Sequence, residues 1–204
     1  MEQLQEELNK ALVNLQSRGN KQNDRFDYCT DYIYKVQSYN ELEEKTKETC
    51  ESKNLDYDKV FRYALNRRFN LQISNFAEEQ FLKYDIVEDE PNQRSREIDF
   101  YINSIPFDLK MSVFPKWFGK DIDYATEHKT ELIDWLYSNC SQERRLHNGN
   151  KIFIVCYSSD GNHNKVKSNL WYIKEAVDNY MKSYNEGDLI IQRDSLSDII
   201  FITK

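Results

Sequence analysis

The sequence of 204 residues predicts an α/β fold with a mixed central sheet flanked by helices, preceded by an N-terminal helical extension. Three observations predict this class. Residues 98–113 alternate between apolar and polar side chains, residues 151–157 form a short apolar run, and residues 170–184 repeat apolar side chains at helical spacing. We therefore expect a helical extension over residues 1–60 and the main domain over residues 61–204.

The composition predicts a folded protein with a polar surface. Hydrophobic residues make up 39% and charged residues 31%, while 14 Tyr and 11 Phe supply enough bulky apolar surface for a sizeable core. No apolar run approaches the ~20 residues that a membrane span needs, and the first ten residues lack the pattern of a signal peptide. We therefore expect no membrane association and no export.

The cysteines predict a reducing compartment, the cytoplasm. The four of them lie far apart, without a CxxC pair or a nearby histidine at zinc-site spacing, so neither a disulfide framework nor a structural zinc is expected. The net charge of −7 argues mildly against nucleic acid as a partner. A local basic cleft is nevertheless compatible with an acidic protein.

The first 60 residues are expected to be helical, because Leu4, Leu8, Leu12 and Leu15 fall on one helical face. Two interpretations remain open for this segment: a partner-binding or dimerising arm, and an extension packed on the main domain. The elements expected after it are helices at 58–69 and 73–82, a short strand at 84–87, a loop at 88–96, a helix at 121–139, a strand at 151–157, a helix at 170–184 and terminal strands at 189–191 and 199–203.

The alternating segment predicts a β-hairpin whose turn is Asn103-Ser104. A two-residue turn sets Ile102 opposite Ile105, Phe100 opposite Phe107 and Asp99 opposite Asp108. Facing residues have Cβ atoms only ~4.5–5.5 Å apart, and like charges placed there are destabilising. A hard divalent cation such as Mg²⁺, bound through carboxylates, removes that cost.

Lys110 lies two residues beyond Asp108 on the same strand face, so its ammonium group can reach the two aspartates. The acid-x-Lys triplet occurs four times in the chain and is not informative alone; only this one lies in an alternating strand with a second aspartate opposite. The alternative interpretation pairs Lys110 with Glu97 on the surface and leaves both aspartates solvated.

These residues resemble the PD-(D/E)XK, or restriction-endonuclease-like, nuclease superfamily, whose core has the element order αβββαβ. Asp99 matches the first acid of the pattern, and Asp108-Leu109-Lys110 matches the acid-x-Lys motif. Ile98 stands where the pattern has proline, and the second acid is Asp where Glu is commoner. The resemblance covers roughly residues 70–180, and Glu78 or Glu79 matches the glutamate that an upstream helix adds in many members.

The resemblance implies Mg²⁺-dependent hydrolysis of phosphodiester bonds, with Mn²⁺ as a substitute metal. It implies that Asp99, Asp108, Glu78 and the backbone carbonyl of Leu109 hold the metal, and that Lys110 assists the attacking water. The expected partner is nucleic acid, DNA in the first instance, for a restriction or repair enzyme. Duplex-cutting members of the superfamily often dimerise, so a homodimer is compatible with this class.

Basic residues around these motifs are candidates for substrate binding. They are Arg67 and Arg68 before the Glu78 helix, Arg94 and Arg96 before the Asp99 strand, and Lys116 beside Trp117 after the Asp108 strand. The alternative to substrate binding, for each of these residues, is that it is an ordinary surface charge lying over an aromatic side chain of the core. A second hypothesis for the whole chain is a non-catalytic module that binds nucleic acid or protein on a nuclease-like fold.

Overall fold

A computed structural model describes residues 1–15, 25–92, 95, 97–139 and 149–204 of the chain. It divides the chain into two compact units, residues 1–73 and 74–204. The division falls within a helix, thirteen residues after the boundary at residue 60 that we expected from sequence. Within the described ranges, no helix combines the length and the apolar character needed to cross a membrane.

The described part of the first unit is helical, as expected. Its helices are α1 (Glu2–Leu15), α2 (Asp27–Thr30), a 3₁₀ turn (Asp31–Tyr34), α3 (Tyr39–Lys53) and the first part of α4 (Tyr57–Phe81). Leu8 and Leu12 are buried, as the spacing of the leucines predicts. Ser38 caps α3 by accepting the N–H of Glu41, and the helix ends where Asn54 adopts the left-handed conformation.

Helix α4 is one continuous helix of 25 residues, whereas the sequence predicts two helices in this region. The physical reason is that residues 70–72, between the two expected helices, contain neither proline nor glycine. At its C-terminal end, Phe81 is fully buried and stacks on Phe100, with ring centroids 4.8 Å apart. This contact anchors the end of α4 within the second unit.

The second unit contains a mixed six-stranded sheet, which confirms the α/β class. Its strands are β1 (Val87–Asp89), β2 (Phe100–Ile102), β3 (Ile105–Val113), β4 (Lys151–Tyr157), β5 (Ile190–Gln192) and β6 (Ser195–Thr203). The order across the sheet is β1-β2-β3-β4-β6-β5. Strands β3, β4 and β6 are parallel, and the remaining pairs are antiparallel.

The β2–β3 hairpin has the turn and the register that the alternation predicts. Phe100 pairs with Phe107 and Ile102 with Ile105. Asn103 and Ser104 both have positive φ, 48° and 67°, as a type I′ hairpin turn requires. Strand β1 begins at Val87, three residues later than the strand that we expected over residues 84–87. Its last two residues, Glu88 and Asp89, therefore belong to a strand where we expected a loop.

Besides the end of α4, the described residues of the second unit form the helices α5 (Ile122–Glu127), α6 (Lys129–Asn139), α7 (His163–Lys167) and α8 (Leu170–Ser183). Helices α5 and α6 replace the single helix expected over residues 121–139, because the chain leaves the helical conformation at His128. Leu132, Ile133 and Leu136 of α6 pack on a core that includes Phe153 and Val155 of β4. Helix α7 packs against β4, and α8 against β6.

Candidate metal and catalytic site

The hairpin register brings the carboxyl group of Asp99 to the middle of β3. The residue directly precedes β2, and its N–H donates to the carbonyl of Phe107 at 2.8 Å. Its Oδ2 accepts the N–H of Leu109 at 2.7 Å, so the side chain serves as a hydrogen-bond acceptor for the neighbouring strand. Two hydrogen bonds to β3 therefore fix this carboxyl group beside the acid-x-Lys motif.

Asp108 is buried, and ammonium groups contact both of its carboxylate oxygens. Oδ1 is paired with Nζ of Lys110, and Oδ2 lies 2.7 Å from Nζ of Lys151. Only 4% of Asp108 is exposed. The alternative in which this aspartate is simply solvated is therefore wrong, because a carboxylate that loses its water needs charged or hydrogen-bonded partners.

Lys151 is a residue of the cluster that sequence reasoning missed. It opens β4 directly opposite Asp108 in the parallel register, and its Nζ lies 5.7 Å from the centroid of the Tyr137 ring. The available signal was a lysine at the head of an otherwise apolar strand, KIFIVCY, since a lysine there must be buried beside a partner. The sequence does not say which carboxylate that partner is.

Glu78 reaches the cluster from α4, and Glu79 does not share its environment. The pKa of Glu78 is raised to about 7: burial is the main cause, the nearby charge of Asp99 contributes in the same direction, and Lys110 opposes the shift. Glu79, one position along the same helix, is exposed. The structure thus associates Glu78, the better match by spacing, with the two aspartates.

The cluster is short of positive charge. Burial raises the pKa of Asp99 to about 6; the hydrogen bond from Leu109 counters this shift, and the charge of Asp108 adds to it. Three carboxyl groups (Glu78, Asp99, Asp108) face two ammonium groups (Lys110, Lys151), so full ionisation leaves one excess negative charge. Because this excess negative charge is partly buried, the ionised forms of the acids are disfavoured, and raised pKa values at Glu78 and Asp99 are expected.

This donor set fits a hard divalent cation, because such ions prefer carboxylate and carbonyl oxygens. Among the described residues, however, no three His, Cys, Asp or Glu side chains are already placed so that they could hold a metal ion together. The ammonium groups of Lys110 and Lys151 contact the oxygens of Asp108 instead. The side chain of Lys110 is 49% exposed, so it can move aside and release Oδ1.

Ser112 lies on the same face of β3 as Asp108 and Lys110. Its Oγ is buried and has no hydrogen-bond partner among the described residues. A buried hydroxyl without a partner is costly, and this one adds a polar atom to the face that carries the cluster.

The basic residues expected to bind substrate lie in different places. Arg67 contacts Asp27 at 3.3 Å and the hydroxyl of Thr30 at 2.7 Å within the first unit. Arg68 is buried in the same unit and donates to the carbonyl of Ile33 at 3.1 Å. Both guanidinium groups thus have partners inside that unit, and the expected role of these two arginines in substrate binding gains no support from their contacts.

Lys116 and Trp117 form an exposed basic and aromatic surface after β3. Trp117 is 81% exposed, and Nζ of Lys116 lies 5.7 Å from the centroid of its ring. The alternative of a core tryptophan beneath surface charge is therefore wrong for Trp117. The two other arginines that we expected to bind substrate, Arg94 and Arg96, lie outside the described residues.

Comparison with known proteins returned no relative: no family model, no curated protein and no solved structure matches this chain.

Proposed function

We propose that the chain is a metal-dependent nuclease that hydrolyses phosphodiester bonds in nucleic acid. The observation that carries the proposal is a partly buried cluster of charged groups. In it Asp108 is paired with Lys110, and Glu78 and Asp99 lie close enough for their charges to raise each other's pKa or that of a neighbour. The order of elements from α4 through β1, β2, β3 and α5–α6 to β4 supports a restriction-endonuclease-like core. PD-(D/E)XK nucleases combine such a site with this order.

We infer that Asp99, Asp108 and Glu78 hold Mg²⁺, or Mn²⁺ in its place, with the backbone carbonyl of Leu109 as a further ligand. A bound divalent cation lowers the pKa of a coordinated water and neutralises charge on the phosphate. The residues themselves supply the negative charge that the ion needs. A divalent cation more than offsets the single excess negative charge, so its binding relieves the repulsion among the three carboxylates.

Lys110 has two tasks in this proposal. If Asp108 held the ion, the half-exposed ammonium group of Lys110 would be free to orient the attacking water and to stabilise negative charge on the phosphate. Hydrolysis adds one water across a P–O bond: the water oxygen joins phosphorus, the other P–O bond breaks, and a proton ends on the departing oxygen. The products are a phosphomonoester and an alcohol.

DNA is the substrate that we propose first, with a restriction or repair role. The exposed ring of Trp117 offers a face on which a base can stack, and Lys116 beside it offers a contact to phosphate. The net charge of −7 makes such local positive groups necessary for binding. The site residues alone carry no sequence specificity.

Cleavage of supercoiled plasmid, duplex oligonucleotides and single-stranded oligonucleotides with Mg²⁺ or Mn²⁺ tests the proposal. We expect Lys110→Met to lower the cleavage rate at least ~100-fold and Asp108→Asn to abolish detectable cleavage. Lys182→Met on α8 is the matched control, because it removes an exposed lysine of the same unit away from the cluster. Cleavage that is equal in all four proteins would contradict the assignment of the site.

Thermal unfolding with and without the cation separates the nuclease from its alternative. If nothing is cut but the cation raises the melting temperature of wild type and not that of Asp108→Asn, the site binds metal and the substrate is another phosphodiester. If the protein neither cuts nor responds to the cation, the proposal fails. A non-catalytic module that binds nucleic acid or protein then explains the chain better.

A further inference from the structure

We propose that Lys151 is a positioning residue: it holds Asp108 through Oδ2 and keeps the affinity of the site for divalent cations low. This inference rests on the proposed metal site and concerns how that site limits its own affinity for cations. The two lysines that contact Asp108 differ in their exposure to solvent. The side chain of Lys110 is 49% exposed, whereas that of Lys151 is 10% exposed.

The surroundings of Lys151 fix its position. Its ammonium group lies over the ring of Tyr137, whose hydroxyl donates to the carbonyl of Gly149 and lies 2.8 Å from Oγ of Ser197. Asn150 ties the start of β4 to both neighbouring segments: its side chain donates to the carbonyl of Pro106 and accepts the N–H of Leu196. The start of β4 is therefore held in place, and the ammonium group of Lys151 lies between Asp108 and the ring of Tyr137.

Because Lys151 stays in place, the two oxygens of Asp108 have different roles. Oδ2 remains paired with Lys151 at 2.7 Å, and Oδ1 becomes available when the exposed Lys110 moves away. The fixed pair orients the carboxylate. It also leaves a permanent positive charge close to the place where a cation binds, and that charge repels the cation.

Removal of the positive charge of Lys151 has two effects on cation binding, and both act in the same direction. The repulsion disappears, and the metal-free protein is left with a buried aspartate that has lost one of its partners. A bound cation replaces the missing charge. The variant is therefore expected to be less stable than wild type without cation, and to gain more stability from cation than wild type does.

A lysine with a purely structural role gives a different result. If Lys151 only holds the start of β4, its replacement lowers the stability equally with and without cation. The change in cation response, and not the loss of stability, is thus the informative measurement.

Urea unfolding followed by tryptophan fluorescence measures that response, because all three tryptophans (Trp117, Trp135 and Trp171) lie in the second unit. Wild type, Lys151→Met, Lys151→Arg and Lys129→Met are each titrated with MgCl₂ and MnCl₂, and with NaCl at matched ionic strength. Lys129→Met is the control, since Nζ of Lys129 lies 3.0 Å from the buried Asp198 in the same unit. Lys151→Arg keeps the positive charge.

We expect Lys151→Met to bind Mg²⁺ at least ~10-fold more tightly than wild type. Lys129→Met and Lys151→Arg should bind it as wild type does. A Lys151→Met protein that folds only when cation is present supports the inference as well. An unchanged or weaker affinity in Lys151→Met overturns it, as does a variant that stays unfolded at every cation concentration.

The outcomes separate this inference from the proposed function. If wild type responds to cation and Lys151→Met responds no more strongly, the metal site stands and the role of Lys151 is wrong. If neither protein responds to Mg²⁺ or Mn²⁺ beyond the NaCl control, the metal site itself is wrong and this inference falls with it.

Discussion

Replacement of Glu78 by glutamine is expected to stabilise the metal-free protein at alkaline pH. Glutamine has nearly the shape of glutamate and carries no charge. The folded protein must otherwise ionise Glu78 in a partly buried place beside Asp99. Removal of this unfavourable charge should raise the free energy of unfolding, although the same change removes a ligand of the proposed metal site.

The size and the sign of the effect follow from the pKa of Glu78, which burial raises from 4.5 to about 7 in the folded protein. Between these two values the folded state keeps a proton that the unfolded state has released, so stability falls as pH rises through that window. At about 1.4 kcal/mol per pKa unit, the full penalty is about 3 kcal/mol, reached above the folded pKa. The gain in Glu78→Gln should therefore be about 3 kcal/mol at pH 8 and below about 1 kcal/mol at pH 5.

Urea unfolding in the presence of a chelator, followed by tryptophan fluorescence, measures this gain in the unit that contains Glu78. Glu79→Gln is the matched control: it makes the same chemical change one residue along α4, on an exposed side chain. It should leave the free energy of unfolding nearly unchanged at both pH values. The reasoning is refuted if Glu78→Gln gains no more than Glu79→Gln at pH 8, or if its gain is the same at pH 5.

Two further predictions follow from the site and its hairpin. Because burial raises the pKa of Asp99 to about 6 and that of Glu78 to about 7, Mg²⁺ must displace protons at pH 6; its dissociation constant should fall as pH rises from 6 to 8. Isothermal titration calorimetry in two buffers of different ionisation enthalpy counts the released protons, and a pH-independent constant contradicts the prediction. Ser104→Gly should stabilise the protein by about 1 kcal/mol, since Ser104 has φ of 67° and glycine adopts this conformation without strain. Urea unfolding checks this change, and a loss of stability counts against it.

The hairpin was predictable from sequence because its information is local. A period of two over residues 98–113 fixes the face of each side chain, and a two-residue turn then fixes the register. The placement of Asp99 opposite the Asp108–Lys110 motif follows directly from this register. The α/β class was predictable in the same way, since each strand and most helices carry their own periodic signal.

The rest of the site depends on contacts that no local pattern encodes. The choice between Glu78 and Glu79 depends on which face α4 turns toward the sheet, and tertiary packing decides that. The pairing of Lys151 with Asp108 depends on the register of two parallel strands, whose paired residues are 43 positions apart. For Arg67 and Arg68 the sequence shows the charge, but their partners come from a segment some thirty-five residues earlier.

The ion pair between Asp108 and Lys151 also has a consequence for the order of folding. Hairpin β2–β3 closes over a two-residue turn, whereas β3 and β4 pair only after a crossover segment has been organised. Loop closure over such a distance is slow compared with closure of a hairpin. We therefore expect Asp99 and Asp108 to come together early, and Lys151 to join them with the parallel pairing. A cation that binds the completed cluster consequently acts mainly on the rate of unfolding.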